Sequence, residues 1–165
     1  NCCTLSSILE KNLLDFEQKF NKNLETEIDF ILETWNGLRK RPAELLREDF
    51  CGTANTACEW VRRDPRHFAI GIDLDREVLQ WGQQHNVSHL SSEEQHRLEL
   101  INGNVLDDLQ ERSDIVLAMN FSYFLFRTRD ELRGYFSFVH AGLAKDGIFF
   151  LSRPLHDLIF IRLLF

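Results

Sequence analysis

Hydrophobic positions along the chain switch between a helical and a strand-like period. Leu24, Ile28, Ile31, Leu32, Trp35 and Leu38 recur at helical spacing and predict an amphipathic helix. Arg39, Lys40 and Arg41 suit its C-terminal end, and Pro42 stops it. Upstream, Ser7-Ile8-Leu9-Glu10 fits a capping box, with Ile8, Leu9, Phe16 and Phe20 as a looser apolar stripe.

From Ala43 onward short apolar runs alternate with amphipathic ones. A buried strand is predicted around Leu45-Leu46, then a turn at Cys51-Gly52-Thr53 with Thr53 as N-cap. Ala54, Ala57, Cys58 and Val61 form the packing face of the next helix. Asp64-Pro65-Arg66 is a turn and Phe68–Asp73 a second strand, and Asp75 caps a helix carrying Val78, Leu79 and Trp81. Ser91-Ser92-Glu93-Glu94 opens a short helix or loop, and Leu98–Val105 is a third strand running into a turn. Asp114–Asn120 is almost continuously apolar, as expected in the middle of a parallel sheet. Thr128-Arg129-Asp130-Glu131 caps a helix with Leu132, Tyr135, Phe136, Val139 and Leu143 on one face. Ala144-Lys145-Asp146-Gly147 closes that helix, Gly147 suiting a left-handed turn, and Ile148–Ser152 is a fifth strand.

Alternating strands and helices predict an α/β fold, a doubly wound, mostly parallel sheet with helices on both faces and right-handed crossovers. The expected organisation is one domain over 1–165: N-terminal helices in 1–42, a core in 43–152 and an atypical tail in 153–165. At 165 residues, 44% hydrophobic and 27% charged, the chain can bury a core, to which 14 Phe contribute. The net charge of −7 argues against a nucleic-acid partner. No stretch is long enough to span a bilayer, so no membrane role is expected. Cys2, Cys3, Cys51 and Cys58 form no Cys-x-x-Cys pair, and the six histidines are scattered without ligand spacing, so no metal is expected. Free thiols point to a reducing compartment, the cytoplasm, with an organelle left open because the first residue is Asn rather than Met.

Three places carry candidate chemistry. Arg47-Glu48-Asp49 puts three charges at the end of a strand expected to be buried. They either face solvent at an ordinary turn or border a ligand, because ligands of open α/β sheets bind at the carboxyl ends of strands. Gly52 lets a ligand approach the backbone, and the following helix start offers free N–H groups. Asp73 lies about twenty residues beyond Gly52, at the tip of the next strand, where it is either a plain carboxylate at a loop edge or, favoured by the pairing with the Gly52 turn, the carboxylate that receives ribose hydroxyls in a nucleotide-binding sheet. Asn104, in the Asn-Gly-Asn turn, offers an amide to a base edge or is plain turn chemistry. Asn120-Phe121-Ser122-Tyr123 is a polar and aromatic cluster where a substrate would sit, or its Phe121 and Tyr123 simply pack.

Taken in order, these features resemble the class I S-adenosylmethionine-dependent methyltransferases over roughly Glu25–Ser152. Leu45–Ala54 is similar to the family's first motif, with Glu48 in the acidic place and Cys51-Gly52-Thr53 in the turn. Gly71-Ile72-Asp73-Leu74-Asp75 resembles the second-strand motif. Gly103-Asn104-Val105 resembles the Gly-Asp-hydrophobic motif, and Leu143–Ile148 the Leu-x-Pro-Gly-Gly turn. Phe50 and Ala54 stand where the family has glycines, Asn104 replaces Asp, and Lys145-Asp146 replaces Pro-Gly.

The resemblance implies S-adenosylmethionine as cofactor and methyl transfer to a small-molecule or protein acceptor. Glu48 and Asp49 would face the cationic end of the cofactor, and Cys51, Gly52, Thr53 and Ala54 would border its methionine portion. Asp73 would take the ribose hydroxyls and Leu74 would lie on the adenine. Asn104 and Val105 would border the base, and Asn120 and Phe121 would line the route to the methyl group. In-line displacement needs alignment above all, so no catalytic residue is assigned. After Ser152 the chain is too short for the family's last helix and hairpin, so it reads as truncated or alternatively ended. Its apolar tail fills the vacant sheet edge, or that edge pairs with a second copy. Two other readings stand beside this one. One is a non-catalytic or degenerate cofactor-binding domain. The other is an NAD-dependent oxidoreductase, against which the turn lacks the G-x-G-x-x-G pattern at Phe50, Gly52 and Asn55.

Overall fold

A computed structural model describes residues 24–107, 111–119, 122–152 and 158–161. The predicted stretch from Ser7 to Phe20 lies outside the described residues. Helix α1 covers 24–38. It is followed by β1 (Leu45–Asp49), α2 (Asn55–Arg63), β2 (Phe68–Asp73), α3 (Arg76–His85), the short α4 (Ser92–Gln95) and β3 (Leu98–Asn102). Then come β4 (Ser113–Ala118), a 3₁₀ turn at Ser122–Leu125, α5 (Arg129–Gly142), β5 (Leu143–Ser152) and β6 (Leu158–Ile161).

The strands form one sheet in the order β3-β2-β1-β4-β5-β6. The first five run parallel, and β6 runs antiparallel to β5, so the tail supplies an edge strand. Central strands are buried on both faces, as the continuous apolar runs predict. Leu46, Ile115, Leu117, Ile148 and Phe150 face α1, α2 and α3, where Ile28, Ile31, Trp35, Trp60 and Leu79 cover them. Ile70, Ile72, Val116, Ala118 and Phe149 face α5 through Tyr135 and Val139. Of the predicted stripe on α1, Leu38 is exposed instead, one turn beyond the buried Trp35. Arg41, past the end of α1, holds Asp114 at 2.7 Å and Asp146 at 2.6 Å, pinning the bases of β4 and β5.

Four boundaries differ from the sequence reading. Strand β3 ends at Asn102, before Val105, and β4 ends at Ala118, before Asn120. The cap residue of α2 is Ala54, not Thr53; it is left-handed and makes no side-chain cap. Residues 144–147 form no left-handed closing turn. Helix α5 passes straight into β5, whose pairing with β4 shifts register between Ser113 and Ile115. Gly147 serves close packing there, because a Cβ on it would lie 2.8 Å from Leu143 Cδ2 and 3.1 Å from the Asp114 carbonyl. The caps at Asp75, Ser91 and Thr128 form as predicted.

Candidate functional site

In the strand order, β1 lies between β2 and β4, so the connections leaving β1 and β4 diverge there. That switch point opens a crevice at the carboxyl ends. The turn leaving β1 has positive φ at alternate residues: 57° at Phe50, 54° at Gly52 and 59° at Ala54. This is the backbone path a run of alternating glycines would follow, yet only the middle residue is glycine. An L-residue in the left-handed region costs about 1–2 kcal/mol, so packing must hold Phe50 and Ala54 in place. The Phe50 ring lies against Tyr135 and Phe126, at centroid distances of 5.8 and 6.2 Å. Ala54 is fully buried, and α3 crosses the turn closely at Gly82, where a Cβ would come within 2.6 Å of the Thr53 carbonyl oxygen.

The three charges of Arg47-Glu48-Asp49 neither face solvent nor border the crevice. Exposure is 2%, 3% and 0%, and each finds its partner inside the protein. The Ala57 N–H donates to Glu48 Oε2 at 3.0 Å, so this carboxyl caps α2 where Ala54 cannot. Burial pushes Glu48 up to about 8, opposed by the hydrogen bonds from Thr56 and Ala57. Asp49 is on the opposite face, paired with Arg47 Nε at 2.5 Å and accepting the Tyr135 hydroxyl at 2.8 Å. Burial raises its carboxyl, against the pull of the Arg47 guanidinium.

At the tip of β2, Asp73 Oδ2 accepts the Gly52 N–H at 2.8 Å and Oδ1 accepts the Asp75 N–H at 2.9 Å. Asn102, register partner of Asp73 on β3, donates through Nδ2 to the carbonyls of Asp73 and Leu74. A cavity of about 240 Å³ opens beside this tip, lined by Phe50, Asp73, Leu74, Val105, Ser122 and Leu125. Every lining residue lies at or beyond the carboxyl end of a strand. Leu74 and Leu125, 68% and 69% exposed, stand at the cavity rim. One carboxylate among apolar walls suits a ligand with hydroxyl donors on one side and a flat apolar body on the other, the two features of a nucleoside.

The residues expected to bind the cofactor therefore divide. Asp73, Leu74 and Val105 come together at the cavity, with Gly52 tied to Asp73. Cys51 is buried at the base of the turn, its N–H bonded to the Ile72 carbonyl and its thiol pushed up by burial. The Thr53 carbonyl is taken by Asn86 Nδ2 at 2.8 Å. The Asn104 side-chain oxygen accepts the Leu106 N–H, closing its own turn. Glu48 and Asp49 point away on opposite faces, and Asn120 and Phe121 lie outside the described residues. The sequence reading missed Phe50 and Leu125 as walls and Asn102 as the support of the Asp73 tip. The Asp73–Asn102 pairing was the available signal, since both residues end neighbouring strands. Among the described residues no group of His, Cys, Asp and Glu is arranged for a metal, and no helix is long and apolar enough to cross a membrane.

No protein-family model and no curated protein matches this sequence. Solved structures match its shape. The sugar N-methyltransferase KedS8 from Streptoalloteichus superposes with a TM-score of 0.65 at 18% identity, covering 83% of this chain and 51% of that one. The glycopeptide N-methyltransferase MtfA gives 0.64 at 17% identity, over 79% of this chain and 53% of that one. CalS10, an amino pentose methyltransferase from Micromonospora echinaspora solved with S-adenosylmethionine bound, gives 0.64 at 20% identity, over 78% and 50%. The chain has the class I methyltransferase fold. It spans about half the length of these methyltransferases. MtfA has also been solved with S-adenosylmethionine, S-adenosylhomocysteine and sinefungin.

Proposed function

We propose that the chain is the cofactor-binding part of an S-adenosylmethionine-dependent methyltransferase acting on a small-molecule or protein acceptor. One observation carries the reading: Phe50, the first of the three left-handed residues of the β1 turn, and the Asp73 carboxylate line one cavity, and the Gly52–Asp73 hydrogen bond ties the turn to that carboxylate. The residues present fit the group. Each Asp73 oxygen already receives one backbone N–H and keeps a lone pair for a ribose hydroxyl. Leu74, Val105, Phe50 and Leu125 offer an apolar slot of the kind a purine fills. When bound, the cofactor supplies an electrophilic methyl carbon on a sulfonium.

The protein's part is to orient and to exclude water. Asp73 fixes the nucleoside end, and the apolar walls keep solvent from the base. The 3₁₀ turn Ser122–Leu125, just past β4, borders the side from which an acceptor would come. Alignment of this kind supplies most of the acceleration in a displacement whose nucleophile is already unprotonated. Calorimetric titration with S-adenosylmethionine, S-adenosylhomocysteine and NADH in parallel tests the reading. Micromolar binding of the two adenosyl ligands alone is expected. Binding of NADH, or of none, overturns it. The two adenosyl ligands binding without turnover on any amine, hydroxyl or thiol acceptor marks the non-catalytic form.

A further inference from the structure

Strand β1 carries a buried ion pair that sheet packing does not require. Apolar residues of similar volume usually serve a core as well or better. What the pair touches explains its presence. Arg47 bonds Asp49 through Nε and donates through Nη2 to the Val105 carbonyl at 2.6 Å, across 58 residues of sequence. Asp49 also accepts the Tyr135 hydroxyl from α5. Phe50 leans on the Tyr135 ring, and Phe126 stacks on the same ring at 4.9 Å. Phe50 and Val105 are two walls of the cavity, and Phe50 holds a backbone conformation that an L-residue does not take unaided.

Resting on the reading of this cavity as the cofactor site, we propose that Arg47, Asp49 and Tyr135 are positioning residues. They brace the Phe50 and Val105 walls from behind and set the width of the slot for the nucleoside. None of the three lines the cavity. Arg47 is the link, because one guanidinium reaches both Asp49 and Val105, which the single ammonium of lysine does not do in the same geometry.

The test is calorimetric titration of the full chain and two variants, Tyr135→Phe and Arg47→Lys, with S-adenosylhomocysteine and with 5′-methylthioadenosine, which lacks the amino-acid end. Tyr135→Phe changes one oxygen atom and keeps the ring stack. Arg47→Lys keeps a cation beside Asp49. Kd is expected to rise about tenfold for both ligands in each variant, the size of one buried hydrogen bond, with stoichiometry unchanged. A purely structural role would lower the fraction of binding-competent protein and leave the Kd of that fraction unchanged, which overturns the proposal. If Arg47→Lys does not fold, Tyr135→Phe decides alone. Failure of the unaltered chain to bind either ligand overturns the cofactor reading itself, and is distinct from binding that the variants leave untouched.

Discussion

Replacing Glu48 by Gln makes the chain less sensitive to pH, by an amount the structure sets. Folded Glu48 titrates near 8 because it is fully buried, whereas the unfolded side chain titrates near 4.5. Between those values the folded chain holds a proton that the unfolded chain has released. The favourable contribution is complete below 4.5 and is lost as pH rises through about 8. Each pH unit in that window is worth about 1.4 kcal/mol, so the whole interval approaches 5 kcal/mol, comparable to the stability of a small domain. Gln keeps an oxygen for the Ala57 N–H and cannot ionise. Urea unfolding of both proteins from about pH 5 to about pH 9 reads the difference, in which titrating groups not coupled to Glu48 cancel. The variant should gain on the parent steadily up to about pH 8 and then level off. Parallel stability curves across that range would refute the placement of Glu48 as a buried carboxyl without a cation.

Asp73→Ala should weaken S-adenosylhomocysteine binding by about 1–3 kcal/mol in calorimetry, and lower the melting temperature because the Gly52 and Asp75 N–H groups lose their acceptor. An unchanged Kd sinks the ribose assignment. Gly82→Ala should destabilise by about 1–3 kcal/mol in chemical denaturation, since the new methyl meets the Thr53 backbone. Gly134→Ala, in open space on α5, should stabilise by up to about 1 kcal/mol. Arg47→Met leaves Asp49 buried without its cation and should cost about 3–5 kcal/mol in chemical denaturation, much of it recovered in the triple variant Arg47→Met/Asp49→Leu/Tyr135→Phe, which also removes the Tyr135 hydroxyl that Asp49 accepts.

The alternation of strands and helices was legible because apolar periodicity reports burial, and burial here follows regular layers. Caps at Asp75, Ser91 and Thr128 were legible for a local reason: each is a contact between residues two or three apart. The end of α5 was not, because Gly147 looks like a stop signal, while its lack of a side chain answers a clash with Leu143 and with β4. The charges of β1 misled for a similar reason. Arg47 stands only two residues from Asp49, but the groups that satisfy the buried pair, the Tyr135 hydroxyl and the Val105 carbonyl, lie 86 and 58 residues away from the side chains they meet, and no local pattern announces partners at that distance. At the candidate site, Asp73 was visible from its spacing to Gly52. The walls formed by Phe50 and Leu125 depend on how the α5 layer closes over the turn, which spacing does not reveal.

The strand order divides the sheet into a local half and a half that must return across it. Strands β1, β2 and β3 pair with neighbours in sequence through α2 and α3, and can assemble early at little cost in loop closure. Strand β4 must return to β1 across the whole of that half, bringing α5 behind it. Until it does, Arg47 and Asp49 stand on an uncovered face where water still solvates them. Docking of the second half is the step that dries them, so a nascent chain that stops short of Tyr135 keeps that face wet and charged. Charges on that open face disfavour its stacking on another chain until α5 covers it.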